Sequence, residues 1–287
     1  LDVNYVDIDE RTYTIDTDKL EKKLKTNNIK LLIAVDYAGH PCDWEKINYL
    51  KKKYNFKVLN DKCHAIGSKY NNDIKYALKY SDLVTHSFHP AKAITTGEGG
   101  AIYSNAKTID EKIKRMRNHG FVKTKEILNE GVWNSNIFNL GYNFRLPDLN
   151  CALGISQLSK LKKFILKRRK LAKIYDNEFK NIKEIKLPKV SKNVYHSYHI
   201  YPMLIDFDKL KIKKKDFFKK LIKKKINLQV HYKPVFLFDY FRKKTNFDLK
   251  ELNNSLKFYK QEVSLPLFYS LSTKEQKRVI KEIKNLL

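Results

Sequence analysis

The sequence predicts an α/β protein, with a large domain built on a mostly parallel sheet and a smaller α+β domain after it. Short apolar strands alternate with helical segments through the first half, which is typical of a parallel sheet covered by helices on both faces. After a long helix, the second half changes to strands mixed with a helix rich in Lys and Phe. We therefore place the large domain at residues 1–160 and the small domain at residues 161–287.

Strands and helices can be placed in order along the large domain. The strands are short apolar runs at residues 29–35, 56–59, 83–88 and 101–103. The helices carry apolar residues at helical spacing and lie at residues 43–53 and 108–118. Residues 1–16 are acidic and polar, and they resemble a strand already under way at residue 1. We therefore expect the large domain to be incomplete at its N-terminus.

The long helix is expected to begin near Pro147, because proline suits the first turn of a helix. It runs to about residue 179, and its apolar side chains recur at helical spacing: Leu149, Leu153, Ile155, Leu158 and Leu161. In the small domain, strands are predicted at residues 198–205 and 227–232 and a helix at residues 213–224. Ser272 and Glu275 form a capping-box pattern that starts a C-terminal helix.

The chain carries a formal net charge of +28, and strongly basic proteins often bind nucleic acids. Its basic runs, however, are interrupted by apolar residues at helical spacing, which indicates solvated faces of amphipathic helices. We therefore expect no nucleic-acid partner, although a basic surface is compatible with small anionic substrates. No apolar run approaches the roughly 20 residues that span a bilayer, so no membrane association is expected.

The cysteines indicate the compartment of the protein. Cys42, Cys63 and Cys151 are odd in number, lie far apart in the sequence and show no metal-ligand spacing. This pattern favours free thiols over disulfides. We expect a reduced, cytoplasmic setting and no metal site.

Lys92 is the strongest candidate for a catalytic residue. It lies in an apolar segment closed by glycines, between the predicted strands at residues 83–88 and 101–103. This places it just beyond the carboxyl end of a strand, where open α/β sheets bind their ligands. Burial or a nearby cation can lower the pKa of a lysine and make it a Schiff-base nucleophile. The alternative is an ordinary surface lysine in a loop.

Three polar side chains are expected near Lys92, on the same rim of the sheet. Asp61 directly follows a predicted strand, His64 comes three residues later, and Ser87 ends the strand before Lys92. An amine, a carboxylate, an imidazole and a hydroxyl form the set that pyridoxal phosphate requires. Each residue alone also fits a structural role: Asp61 as a turn former or helix cap, and His64 as a packed side chain.

The motifs resemble those of the DegT/DnrJ-type sugar aminotransferases, which are pyridoxal-phosphate enzymes of fold type I. SFHPAKAITTGEGG at residues 87–100 resembles the family's lysine motif, and LNDKCHAIGSKY at residues 59–70 resembles the segment of its acidic residue. GYNFRLPDLNCALGISQLSKL, QVHYKPV and SLPLF match further segments in the same order. The resemblance covers nearly the whole chain.

The resemblance implies a role for each matching residue. Lys92 would form the imine with the cofactor aldehyde and act as the proton-transfer base. Asp61 would pair with the pyridinium nitrogen, His64 would approach the phenolic oxygen or the ring face, and Ser87 would bind phosphate. Asn143 would reach the phosphate of the neighbouring subunit's cofactor, which implies a homodimer with shared active sites. On local sequence alone, Asn143 also fits a helix cap or turn residue.

Within the family, QVHYKPV, SFHPAK and VDYAGHPCD most resemble the branch that makes pseudaminic-acid-type nucleotide sugars. The reaction implied is amino transfer from glutamate to a UDP-linked 4-keto-6-deoxy sugar. His231 and Tyr232 are candidates for the substrate side of the cleft, although they also fit alternating residues of a half-buried strand. The alternatives are a different nucleotide-sugar aminotransferase, or a truncated inactive or regulatory paralogue. Lys92 argues against the family's dehydratase branch, in which histidine replaces the lysine.

The chain departs from the family pattern at two places. Lys62 and Cys63 stand where the family has two alanines, and we expect Lys62 to point away from the cofactor. The family's N-terminal segment, which supplies backbone donors to the phosphate, is not present in the 287 residues. We therefore expect these residues alone to bind the cofactor poorly.

Overall fold

The computed structural model describes residues 2–245 and 247–287. Its strands in chain order are β1 (Leu31–Val35), β2 (Lys57–Asp61), β3 (Lys69–Tyr70), β4 (Leu83–Ser87), β5 (Gly100–Tyr103), β6 (Phe121–Val122), β7 (Asn136–Ile137), β8 (Ile185–Lys186), β9 (Val194–Tyr195), β10 (Tyr201–Ile205) and β11 (Glu262–Leu265). Its helices are α1 (Thr17–Thr26), α2 (Trp44–Tyr54), α3 (Tyr76–Tyr80), α4 (Lys107–Arg117), α5 (Lys125–Asn129), α6 (Asp148–Phe179), α7 (Lys214–Lys223), α8 (Asp239–Arg242), α9 (Asn253–Gln261) and α10 (Thr273–Lys284). Short 3-10 turns lie at Tyr37–Gly39, Val235–Leu237 and Leu249–Leu252.

A four-stranded sheet with the order β1-β2-β4-β5 forms the base of the large domain. The strands β1, β2 and β4 run parallel, which brings Val35 beside Asp61 and Asp61 beside Thr85. β5 is antiparallel to β4, and Ser87 pairs with Gly100. The predicted α/β class with a mostly parallel sheet is confirmed. Because the parallel strands end at the same edge, their last residues are brought together there.

Helices α1, α2 and α3 pack against one face of this sheet. The core between them is formed by apolar side chains: Leu20, Leu24, Leu32, Ala34, Trp44, Ile47, Leu50, Val58, Tyr76, Ala77, Tyr80 and Val84. On β1, the buried residues Leu32 and Ala34 alternate with the exposed residues Leu31, Ile33 and Val35. The described residues therefore cover β1 on one face only, which differs from the prediction that helices cover both faces.

The small domain is built on an antiparallel sheet with the order β11-β10-β8. Its core is formed by this sheet and the inner faces of α6, α7 and α10: Leu171, Tyr175, Phe179, Met203, Ile205, Phe217, Leu221, Val263, Val279, Ile280 and Ile283. At the start of α10 the Glu275 amide donates to Ser272 Oγ at 3.2 Å, and the Ser272 amide donates to the Glu275 carboxylate at 2.8 Å. The predicted capping box is thus confirmed. The separation of the two cores supports a domain boundary near residue 160, which we retain as a proposal.

Two predicted strands are wrong. Residues 227–232 form only an isolated bridge between Gln229 and Ser264, and Pro234, which follows them, has no N–H to extend a ladder. Residues 2–16 contain an isolated bridge between Ile8 and Ile15 and no strand.

Within residues 2–245 and 247–287, no helix is both long enough and apolar enough to cross a bilayer. The longest, α6, carries many charged side chains along its 32 residues.

Candidate active site

Lys92 lies in the loop that joins β4 to β5. Backbone hydrogen bonds close this loop: the Phe88 amide donates to the Gly99 carbonyl at 2.8 Å, and the Thr96 amide donates to the Phe88 carbonyl at 3.0 Å. Gly97 has a φ of +81°, in the left-handed region that side-chain-bearing residues rarely adopt. The local sequence therefore builds a compact turn that holds Lys92 just beyond the carboxyl end of β4.

The amine of Lys92 is half-buried, and burial lowers its pKa. The negative charge of the Asp61 carboxylate opposes this effect. A lowered pKa increases the fraction of neutral amine, which is the form of lysine that attacks a carbonyl group. Asp61 ends β2, which pairs in parallel with β4, so Asp61 and the loop that carries Lys92 lie at the same edge of the sheet.

Asp61 is the last residue of β2, between the ends of β1 and β4. The Cys63 amide donates to Asp61 Oδ1 at 3.1 Å, and this bond does not use Oδ2. Burial, with the Asp61 carboxylate as a further cause, raises the pKa of the Cys63 thiol to about 11. Cys63 therefore stays protonated near neutral pH, and it does not compete with Lys92 as a nucleophile.

His64 is buried at the same edge and is neutral. Its Nδ1 accepts from the Ala38 amide at 3.4 Å, so Nε2 carries the proton and lies 3.4 Å from Tyr232 Oη. Burial is the main cause, and the Lys92 charge the second, of the fall in the pKa of His64 to about 3. The ring of His199 lies 4.4 Å from that of His64, and burial likewise lowers the pKa of His199 well below its ordinary value.

The predicted substrate residues lie beside this histidine pair. Tyr232 is half-exposed and contacts His64 through its hydroxyl. Burial lowers the pKa of His231, and the charge of Lys92 lowers it further. The Tyr37 hydroxyl donates to the His231 carbonyl, which anchors the segment on the turn after β1. The structure thus brings together residues far apart in the sequence.

Ser87 and Asn143 were both predicted to bind phosphate. Ser87 ends β4, and its Oγ accepts from the His89 amide at 3.4 Å, so the hydroxyl proton remains free for another acceptor. Asn143 is exposed and forms an isolated bridge with Asn118. The phosphate-binding roles of both residues stay predictions.

Lys62 is turned toward the interior of the large domain. Its side chain is buried, with Nζ lying 4.0 Å from the ring centroid of Tyr76 and donating to the Ile74 carbonyl at 3.3 Å. Burial lowers the pKa of Lys62 to about 8, and the carboxylate of Asp36 opposes this effect. The cation is therefore satisfied by an aromatic ring, a carbonyl and a neighbouring carboxylate.

Buried Asp36 holds the turn between β1 and α2. It accepts from the Cys42 amide at 2.8 Å, Trp44 Nε1 at 3.1 Å, Asn60 Nδ2 at 3.2 Å and Tyr76 Oη at 2.6 Å. Burial raises the pKa of Asp36, and these donors oppose the rise. The network fixes the turn that presents the Ala38 amide to His64.

Sequence reasoning missed His199, Tyr37 and Arg168. Arg168 is buried in α6 and donates to the carbonyls of His199 at 2.9 Å and Leu267 at 2.6 Å, which positions the segment that carries His199. The only sequence signal for His199 was the dense group of aromatic residues and histidines at residues 195–199, just before an apolar strand. Among the residues that the structure describes, no cluster of His, Cys, Asp or Glu is arranged to hold a metal ion.

Known proteins resemble this chain over most of its length. A family model described as the DegT/DnrJ/EryC1/StrS aminotransferase family matches residues 1–284. The UDP-4-amino-4,6-dideoxy-N-acetyl-β-L-altrosamine transaminase of Campylobacter jejuni is 38% identical over 279 residues, which cover 96% of this chain and 71% of that protein.

Solved structures agree with the sequence matches. PseC of Helicobacter pylori, described as an aminotransferase involved in the biosynthesis of pseudoaminic acid, superposes with a TM-score of 0.88 at 31% identity. That superposition covers 99% of this chain and 73% of PseC. Spr1654 of Streptococcus pneumoniae, described as a sugar aminotransferase in its PLP form, superposes with a TM-score of 0.83 at 26% identity. That superposition covers 98% of this chain and 74% of the Spr1654 chain.

These matches confirm fold type I and the expected cofactor. The chain belongs to the DegT/DnrJ/EryC1/StrS aminotransferase family, and it is a pyridoxal-phosphate-dependent aminotransferase.

Proposed function

We propose that this enzyme transfers an amino group from glutamate to a UDP-linked 4-keto-6-deoxy sugar, in the synthesis of pseudaminic-acid-type nucleotide sugars. The observation that carries the proposal is the 38% identity with the Campylobacter jejuni transaminase across 96% of this chain. The likeness to PseC, at 31% identity, supports the same reaction. Matches to a GDP-perosamine synthase and a dTDP-sugar transaminase cover only 70% and 71% of the chain, and both are less identical.

The residues at the sheet edge suit pyridoxal phosphate. The aldehyde requires a neutral amine, and burial moves Lys92 toward that form. The ring nitrogen requires an anion, and Asp61 Oδ2 is not used by the hydrogen bond from Cys63. The phosphate requires donors, and the Ser87 hydroxyl proton is free of the bond to His89. Lys92, Asp61 and Ser87 would therefore hold the cofactor.

The protein's own groups would position and move protons. Bound pyridoxal phosphate supplies an electron sink for the negative charge that develops when a proton leaves the amino-bearing carbon. Lys92 Nζ would accept and return that proton, which a half-buried amine with a lowered pKa does most readily. His64 stays neutral near pH 7 because of its burial, so it adds no positive charge beside the Lys92 amine.

His231 and Tyr232 would contact the sugar nucleotide. Tyr232 is 52% exposed, so its ring is open to a ligand even though its hydroxyl reaches His64. His231 lies close enough to Lys92 for the lysine charge to lower its pKa. A substrate that enters past Tyr232 would therefore meet His231 and Lys92 together.

We further propose a homodimer with shared active sites, in which Asn143 reaches the partner's cofactor. Several large apolar side chains on either side of Asn143 in the sequence are exposed: Trp133 is 82%, Leu140 88% and Leu149 86% exposed. Exposed apolar patches of this kind are rare on monomers and typical of subunit interfaces. Sedimentation of the full-length protein should show a dimer that Trp133→Glu with Leu140→Glu dissociates. A matched change at exposed Tyr49 should leave the dimer intact, and a monomeric parent protein would refute the proposal.

A cytoplasmic location is also proposed. Cys42, Cys63 and Cys151 are free thiols in the structure. Disulfides persist mainly in oxidising compartments, and unpaired cysteines suit a reduced one.

The substrate proposal is tested with glutamate and a panel of UDP-, GDP- and dTDP-linked 4-keto-6-deoxy sugars. We expect 2-oxoglutarate to form in an amount equal to the aminated sugar, and most rapidly with the UDP sugar. Faster turnover of a GDP or dTDP sugar would move the enzyme to another branch of the family. No turnover with any sugar, by protein that holds its cofactor, would refute the proposal.

The role of Lys92 is tested by Lys92→Ala in the same assay. Loss of the proton-transfer group should slow amino transfer by at least about 100-fold, and the absorbance band that borohydride removes should disappear. Lys107→Ala, a change at an exposed lysine, is the matched control and should retain both. A Lys92→Ala enzyme that keeps the rate of the parent would exclude this lysine as the base.

A further inference from the structure

A buried carboxyl group lies behind His231, on the small domain. Glu262 is the first residue of β11 and is fully buried. Its Oε2 accepts from the His231 amide at 3.0 Å, and its Oε1 accepts from the Ser264 hydroxyl. The same Ser264 Oγ lies 2.7 Å from His231 Nδ1. Ser264 thus bridges a buried carboxyl group and an imidazole that faces the active site.

The number of protons on this bridge restricts how it is arranged. A serine hydroxyl has one proton to donate. When Glu262 is ionised, the hydroxyl donates to the carboxylate, so Ser264 Oγ accepts from His231 Nδ1–H and Nε2 is left with a free lone pair. When Glu262 is protonated, it donates to Ser264 Oγ, the hydroxyl turns to donate to Nδ1, and the imidazole proton is on Nε2. The carboxyl group therefore determines which imidazole nitrogen carries the proton.

We propose that Glu262 and Ser264 are positioning residues that hold His231 with Nε2 as a proton acceptor and relay the resulting charge into the protein. When Nε2 gains a proton, the Nδ1–H bond breaks as an O–H bond forms at Ser264. The original Ser264 O–H bond breaks as an O–H bond forms at Glu262 Oε1. One proton enters in total, the ring ends neutral, and the negative charge of Glu262 is removed.

The relay reduces the electrostatic penalty of placing a proton near Lys92. Burial lowers the pKa of His231 and the charge of Lys92 lowers it further, so a lasting imidazolium ion at this position would be unfavourable. Transfer of the charge change to Glu262 leaves a neutral imidazole facing the site. This inference rests on the proposed place of His231 in the substrate cleft.

The surroundings of Glu262 allow both of its states near neutral pH. Burial raises its pKa to about 7, and the charge of Lys214 on α7 partly opposes the rise. The hydroxyls of Tyr13, Tyr37 and Tyr232 are the other titratable groups that face the carboxyl group. Burial raises the pKa of each tyrosine, so all three stay neutral over this range.

The test is the nitrogen NMR spectrum of histidine-labelled, full-length protein, with cofactor and without sugar. The two ring nitrogens of His231, assigned by comparison with His231→Asn, report which one carries the proton. We expect the proton on Nδ1 at pH 8 and on Nε2 at pH 5.5, with the ring neutral at both. A proton on Nε2 at pH 8, or a ring that simply becomes an imidazolium ion, would overturn the proposal.

Three variants separate the relay from ordinary packing. Glu262→Gln should abolish the pH-dependent exchange of the proton between the two ring nitrogens of His231. The dependence of kcat on pH should also lose its transition with a midpoint near pH 7. Ser264→Ala should break the bridge and let His231 titrate as an isolated imidazole, whereas Ser264→Thr, which keeps the hydroxyl, should restore the exchange. An unchanged proton position in folded Ser264→Ala would refute the relay. Because the spectrum needs no sugar, a wrong substrate assignment would leave this result unaffected.

Discussion

The buried carboxyl group of Glu262 should make the stability of this protein depend on pH in a predictable direction. Its pKa is about 7 in the folded protein, against 4.5 for an exposed glutamate, because of burial. A carboxyl group with a raised pKa binds its proton more tightly when folded, so its stabilising contribution is complete below pH 4.5 and is lost as the pH rises through 7. Each pH unit between the two values is worth about 1.4 kcal/mol, so the contribution is about 3 kcal/mol.

Urea denaturation of the parent protein and Glu262→Gln, from pH 4 to pH 8, measures this contribution. The buried histidines have lowered pKa values and act in the opposite direction, but subtraction of the two curves cancels them. The free energy of unfolding of the parent minus that of the variant should be about 3 kcal/mol lower at pH 8 than at pH 4. Glu130→Gln, at an exposed glutamate, is the matched control. A parent-minus-variant difference that stays constant with pH would refute the reasoning.

Further changes test the turn after β1 and the histidine at the site, each by urea denaturation. Asp36→Ala should lower the free energy of unfolding by about 3–5 kcal/mol, because Trp44 Nε1 and other buried donors would lose their partner; a loss below 1 kcal/mol would contradict this. Gly39→Ala should cost more than about 1 kcal/mol, since φ is +101° and a Cβ would lie 2.5 Å from Ser197 Oγ; a neutral effect would show that the turn relaxes. Burial lowers the pKa of His64 from 6.5 to about 3, so the stability that it contributes above pH 6.5 is lost as the pH falls. His64→Gln should therefore lose about 3 kcal/mol less stability than the parent between pH 6.5 and pH 4, and equal losses would refute the assignment.

The sequence predictions were accurate where the local pattern of apolar residues was distinctive. The strands of the parallel sheet were predicted to within a few residues, because buried strands are continuous apolar runs. Helix α1 was missed, since only Leu20 and Leu24 are buried among its polar and charged residues. Residues 227–232 show the opposite error. Their alternating pattern predicted a strand, but they form only a single bridge, and His231 is held by hydrogen bonds to the side chains of Glu262 and Ser264.

Some residues of the candidate site could likewise be predicted from local sequence, and others could not. Lys92 and Asp61 could be placed on one rim because each follows a strand of a parallel sheet, and such strands end together. His199, Tyr37 and Glu262 could not be found, since their importance lies in contacts across the chain rather than in local spacing.

The amino-acid sequence by itself determined the family, the positions of the large-domain strands along the chain and the reactive groups at their ends, because these depend on local apolar patterns and short motifs. The tertiary structure decided which of these groups are charged. Tyr232 contacts His64, which is 168 residues away in the sequence, and His231 contacts Glu262, which is 31 residues away. The pKa of each group depends on the burial and the neighbouring charges that such long-range packing creates. Two stretches of sequence with the same residues would have different chemistry if they packed differently.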